Sequence, residues 1–157
     1  MKIAICDDDI TFVNKIEGKL QEYAKKHDLI FSVERHYTAE SVLANQLECS
    51  LLLLDVDLPG VSGIECAKTL REQNWYGCII FISSYVEYAP RGYEFNAFRY
   101  ILKSQVDSLF NDALDVYIEE YNRNSGKLKL RLIKEGIENT SEDVNVDLSI
   151  IIFIESG

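Results

Sequence analysis

Two short runs, Leu51-Leu52-Leu53-Leu54 and Cys78-Ile79-Ile80-Phe81-Ile82, are apolar at every position. A strand with one face in water alternates apolar and polar residues. A strand without alternation must be covered on both faces, as in the middle of a parallel sheet flanked by helices. The neighbouring segments supply those helices. Lys2 to Cys6 reads as a strand, after which Asp9 can cap a helix whose apolar stripe is Val13, Ile16, Leu20, Tyr23 and Ala24. Phe31, Val33 and Arg35 alternate with Ser32 and Glu34, and a helix opening at Thr38 buries Val42, Leu43 and Leu47. Ser62 starts a third helix with Ile64, Ala67 and Leu70 inward. The segment from Tyr85 to Tyr93 holds Pro90 and Gly92, both poor interior residues, and predicts a short or broken helix. Phe98 to Leu102 forms a last strand. Val106, Leu109, Phe110, Ala113, Leu114, Tyr117, Ile118 and Tyr121 mark a last helix at three-and-four spacing.

Five strand-helix units predict an α/β fold, a doubly wound five-stranded parallel sheet, because parallel strands need long, right-handed crossovers. The full 157 residues allow one such domain and a remainder. A net charge of −10 repels nucleic-acid backbones and anionic lipid, so binding to either would have to be local. Each apolar run is far too short to cross a membrane, and the N-terminus turns acidic within seven residues, unlike a signal peptide. The expected location is the cytoplasm. Cys6, Cys49, Cys66 and Cys78 lack metal-ligand spacing and read as reduced, buried thiols.

In a doubly wound sheet the functional groups gather at the carboxyl ends of the strands. Those ends deliver Asp7 and Asp8 from the first strand, Asp55 from the third, Ser83 from the fourth and Lys103 from the fifth. Clustered carboxylates resist joint ionisation unless a cation intervenes, and all-oxygen ligation with few protein ligands favours Mg²⁺. Asp55 could attack a phosphoryl group, Lys103 would supply a point charge, and Ser83 could donate a hydrogen bond to a phosphoryl oxygen. Each residue alone has an ordinary explanation: Asp9 and Ser83 as helix caps, Asp57 as a turn residue before Pro59-Gly60, Lys103 as a surface amine. Their joint arrival at one edge is not something apolar burial requires.

The stretches IAICDDD, LLLLDVDLPGVSGIE, IIFISSY and FRYILKS resemble the receiver domain of bacterial two-component response regulators, over roughly residues 2 to 122. The resemblance implies a flavodoxin-like strand order, 2-1-3-4-5, and a signalling domain rather than an enzyme, catalysing at most its own phosphorylation and dephosphorylation. It implies that Asp55 is the phosphoacceptor, Lys103 the matching lysine, Ser83 the switch hydroxyl and Tyr100 the switch aromatic. The metal would contact Asp8, Asp55 and the Asp57 backbone carbonyl, with Asp7 reached through water. The implied partner is a sensor histidine kinase. Two departures stand out: Ser104 replaces the proline that usually follows the lysine, and Tyr88-Ala89-Pro90-Arg91-Gly92 interrupts a helix normally used for output.

Two other functions fit part of the pattern. Asp55-Val56-Asp57 after four leucines imitates the Asp-x-Asp motif of haloacid-dehalogenase-type phosphatases, although that motif normally follows the first strand. A degenerate receiver acting as a dimerisation scaffold is the other. Asn122-Arg123-Asn124-Ser125-Gly126 reads as a helix end and linker, dividing a receiver at residues 1–123 from a β-rich tail at 124–157. In the tail Leu128, Leu130 and Leu132 alternate with Lys129 and Arg131, Val144, Val146 and Leu148 alternate with Asn145 and Asp147, and Ile150 to Ile154 is densely apolar. Its last words, VDLSIIIFIESG, resemble the opening of a LytTR-type DNA-binding domain. DNA contact would need a complete copy of that module, and homodimerisation through the tail or the fourth-helix face is a further expectation.

Overall fold

The computed structural model describes residues 1–134. The strand expectations at Val144 to Leu148 and Ile150 to Ile154, and the LytTR-like words, lie outside the described residues. The elements run β1 (Lys2–Cys6), α1 (Ile10–Lys26), β2 (Ser32–His36), α2 (Ala39–Ala44), β3 (Leu51–Leu54), α3 (Gly63–Glu72), β4 (Cys78–Ser83), α4 (Ala89–Glu94), β5 (Arg99–Leu102) and α5 (Val106–Lys134). Single 3₁₀ turns precede α4 (Val86–Tyr88) and α5 (Lys103–Gln105). The five strands form one parallel sheet in the order β2-β1-β3-β4-β5. This is the expected doubly wound parallel sheet, in the expected flavodoxin-like strand order.

The unbroken apolar runs have the predicted cause. Alternate residues of each central strand enter different cores. Leu51, Leu53, Ile80 and Ile82 meet Val13, Ile16 and Leu20 of α1 and Phe110, Leu114 and Tyr117 of α5. Leu52, Leu54, Ile79 and Phe81 meet Val42 of α2 and Ile64, Ala67 and Leu70 of α3. Both sets are buried, so truncating Leu53 to Ala would cost about 2–5 kcal/mol. The α1 stripe is buried as expected, and Asp9 caps the helix by accepting from the Phe12 amide. All four cysteines are free, three buried and Cys78 half-buried.

The interrupted fourth helix is indeed short. A 3₁₀ turn leads into six α-helical residues, with Pro90 in the first turn, where its missing N–H costs little. Gly92 lets α4 lie close on the sheet, since a Cβ there would come within 2.9 Å of Phe81 and 3.3 Å of Tyr100. The bond between Lys103 and Ser104 is trans, as are all peptide bonds among the described residues.

Three expectations need correction. The helix end and linker at Asn122 to Gly126 do not form: α5 continues to Lys134, across the expected boundary at 123/124 and through the strand expected at Leu128 to Leu132. A glycine stop works by adopting a left-handed conformation, and Gly126 is not among the residues with positive φ. Lys, Leu and Arg are good helix formers, so the Lys-Leu alternation after it supports either period, and the helix already under way prevails. Leu109, assigned to the buried stripe, is 41% exposed. Leu47 is buried from the loop after α2, which stops at Ala44.

Candidate functional site

The site lies where β1 and β3, paired in register up to Cys6 and Leu54, release the chain together. The next residues are Asp7 and Asp55, both buried, with Asp8 exposed beside them. Carboxylate oxygens of Asp7, Asp8 and Asp55 all lie within 4.8 Å of one another. Lys103, arriving from β5, sends its ammonium to 2.7 Å from Asp7 Oδ2 and 3.1 Å from Asp55 Oδ2. Backbone amides hold the other oxygens: Asp9 N–H donates to Asp7 Oδ1 at 2.9 Å, and Asp57 N–H to Asp55 Oδ1 at 3.3 Å.

The loop after β3 has its own supports. Ser62 and Glu65 form a reciprocal capping box at the start of α3. Gly63 packs directly on the Asp55 backbone, and a Cβ there would overlap the Asp55 carbonyl. The Gly63 amide donates to the Val56 carbonyl at 2.9 Å, which closes the turn that carries Asp55 to Asp57. The Glu40 carboxylate reaches across from α2 to accept from the Val61 amide at 3.3 Å.

Charge is unbalanced here. Three carboxylates face one ammonium, and two of the three are almost without solvent. Burial, then the neighbouring Asp7 charge, pushes the Asp55 carboxyl up to about 6, against the opposing pull of Lys103. Burial likewise raises Asp7, partly offset by Lys103 and the Asp9 amide. Burial acts to lower Lys103, but its pairing with Asp7 and Asp55 more than compensates, so its net shift is upward. Asp7 Oδ2 is buried, and its close polar neighbour is the Lys103 ammonium at 2.7 Å. Surplus negative charge and three clustered carboxylate donors fit a small divalent cation such as Mg²⁺, which would relieve the repulsion.

The remaining expected residues sit on the same rim. Ser83, fully buried, ends β4 opposite Leu102, one residue before Lys103. Its hydroxyl accepts from the Tyr85 amide at 3.2 Å. Tyr100, half-buried, donates its hydroxyl proton to the Tyr85 carbonyl and tilts against Phe81. Both expected switch side chains therefore hold the same residue, Tyr85. Asp57 is exposed and its side chain lies outside the carboxylate cluster, while its backbone N–H faces Asp55. One neighbour escaped the sequence reading: the Phe12 ring stands 4.5 Å from the Lys103 ammonium. Nothing in the α1 stripe singled it out, because the contact spans most of the domain.

Comparison with known proteins agrees with this architecture. The chain is 31% identical over 103 residues to the transcriptional regulatory protein LytR of Staphylococcus aureus, covering 66% of this chain and 41% of that protein. The chain thus spans about two fifths of the length of that relative. The BeF₃-activated receiver domain of DrrB superposes with a TM-score of 0.64 at 26% identity, covering 75% of this chain and 97% of the other. TrrA of Thermotoga maritima, solved in complex with Mg²⁺-BeF, has the same fold, with a TM-score of 0.60 at 23% identity over 76% of this chain and 96% of that one. A family model for the response regulator receiver domain matches residues 3–115, so this chain belongs to the response regulator receivers.

Proposed function

We propose that this receiver works as a phosphorylation switch: Asp55 accepts a phosphoryl group from a sensor histidine kinase in a Mg²⁺-dependent reaction, and the change passes through Ser83 and Tyr100 to a transcriptional output. The observation that carries the reading is the buried Asp55 carboxylate, held between an ammonium and an amide donor and crowded by two further carboxylates.

One carboxylate oxygen of Asp55 attacks phosphorus, the P–N bond to the kinase imidazole breaks, and the imidazole nitrogen leaves with that electron pair. Asp57 N–H and Lys103 hold the carboxylate in place, and the ammonium is already where the incoming negative oxygens need compensation. Asp8, Asp55 and the Asp57 carbonyl would hold Mg²⁺, with Asp7 reached through water. When bound, the ion neutralises charge on the phosphoryl oxygens. Ser83 already accepts from the Tyr85 amide and still has its own O–H to donate, which suits a new phosphoryl oxygen. A shift of Ser83 would carry Tyr85 with it, and Tyr100 is tethered to the carbonyl of that residue.

LytR, the relative described above, is named as a transcriptional regulator. For this chain, DNA binding through a complete LytTR module, dimerisation and a cytoplasmic setting belong to the same proposal. No helix among the described residues is long and apolar enough to cross a membrane. The haloacid-dehalogenase-like alternative finds no support: its second Asp would be Asp57, whose side chain is exposed and apart from the cluster.

Incubation with acetyl phosphate and Mg²⁺ followed by intact mass measurement tests the reading. The expected result is one added phosphoryl group, absent in Asp55→Asn. Persistence of the adduct in that variant overturns the site, and no adduct on the wild type favours the scaffold reading instead.

A further inference from the structure

Phe12 has no place in the proposed phosphoryl transfer, yet its ring touches the Lys103 ammonium that faces Asp55. It occupies the third position of α1, and its amide is held at 3.1 Å by the Asp9 carboxylate that caps the helix. The Asp9 amide in turn is held by Asp7 Oδ1 at 2.9 Å. This continuous run of contacts ties the Phe12 backbone to the carboxylate site. The ring packs against the core on one side while remaining half-buried. Its face lies 4.5 Å from the Lys103 ammonium, inside the range where a ring quadrupole attracts a cation.

Lys103 has four rotatable side-chain bonds and a strongly hydrated head, so its placement between two carboxylates must be enforced. The carboxylates attract it but do not keep it from swinging to solvent once Asp55 carries a phosphoryl group as an acyl phosphate and its charge relocates. An aromatic face adds a second hold: it attracts the ammonium whatever the state of Asp55. An aliphatic residue of similar size would fill the space without attracting the charge.

We infer that Phe12 is a positioning residue for phosphoryl transfer, its ring face holding the Lys103 ammonium over the Asp7 and Asp55 carboxylates so that it meets the incoming phosphoryl oxygens. The inference rests on the proposed phosphoacceptor reading. It acts through Lys103 and needs no contact between Phe12 and the phosphoryl group.

Two readouts test it on the full chain. The first is the Lys103 ε-methylene proton shift, which the ring current should move upfield in the wild type and in Phe12→Tyr, with the displacement lost in Phe12→Leu. The second is the initial rate of Asp55 phosphorylation by acetyl phosphate with saturating Mg²⁺. Phe12→Leu should be three- to tenfold slower and Phe12→Tyr within twofold of the wild type. In a Lys103→Met background, Phe12→Leu should cause no further slowing. Equal rates for the Leu and Tyr variants, or a full Phe12→Leu effect without Lys103, would overturn the inference while leaving the phosphoacceptor reading intact. A wild type that shows the upfield shift but takes up no phosphate would overturn that reading, and the role of Phe12 with it.

Discussion

Asp55, the proposed nucleophile, sits in a place that disfavours charge. Its carboxyl moves from an ordinary 3.8 to about 6, chiefly through burial. At 1.36 kcal/mol per unit that is about 3 kcal/mol. Between those two values the folded state binds the extra proton and the unfolded chain does not, so stability in the absence of divalent ions falls as pH rises and the loss is complete above about 6. Urea midpoints in chelator from pH 4.5 to 8 should decline for the wild type, while Asp55→Asn should be flatter and about 1–3 kcal/mol more stable near pH 7.5. A wild-type midpoint that rose across this window relative to the variant would contradict the assignment. Mg²⁺ should reverse the order of wild type and variant, because the ion gains most where the carboxylates repel most. The carboxylates, Ser83 and Lys103 were legible because each directly follows or ends a recognisable strand. Phe12 was not, since its partner stands 91 positions away in sequence.

The element that governs the site most directly is α3. Its start was readable, because Ser62 and Glu65 have the spacing of a capping box, and both reciprocal bonds form. The reason for Gly63 was not readable. It permits contact between the first turn of α3 and the Asp55 backbone, where any side chain would overlap the carbonyl. Gly63→Ala should therefore push the turn away, cost about 2–4 kcal/mol by the overpacking and strain such a change brings, and slow phosphorylation of Asp55 as well. Urea denaturation and the acetyl phosphate rate give the two measurements, and a stable variant at full rate would refute the tight contact. At the other end of α3, Arg71 donates to the carbonyls of Trp75, Gly77 and Phe95 at 2.8 to 2.9 Å, joining the helix to the loops before β4 and β5. Nothing in its neighbourhood along the chain announces that role.

Over the whole molecule, the path of α5 is where local signals and the structure part. Asn124, Ser125 and Gly126 resemble a stop, but the helix runs through them. Gly126 has open space around its would-be Cβ. Gly126→Ala should consequently gain about 0.5–1 kcal/mol and deepen the far-ultraviolet helical signal, whereas in a linker it would change neither. The chain by itself determined the α/β class, the number of strands, the two-faced burial of β3 and β4 and the residues at the strand ends, because those follow from periodicity and from one-step neighbours. Tertiary structure alone decided which carboxylates crowd together, how far burial raises Asp55, which ring faces Lys103 and where α5 keeps going. Distances across the sheet and the exclusion of water arise only when strands distant in sequence are laid side by side.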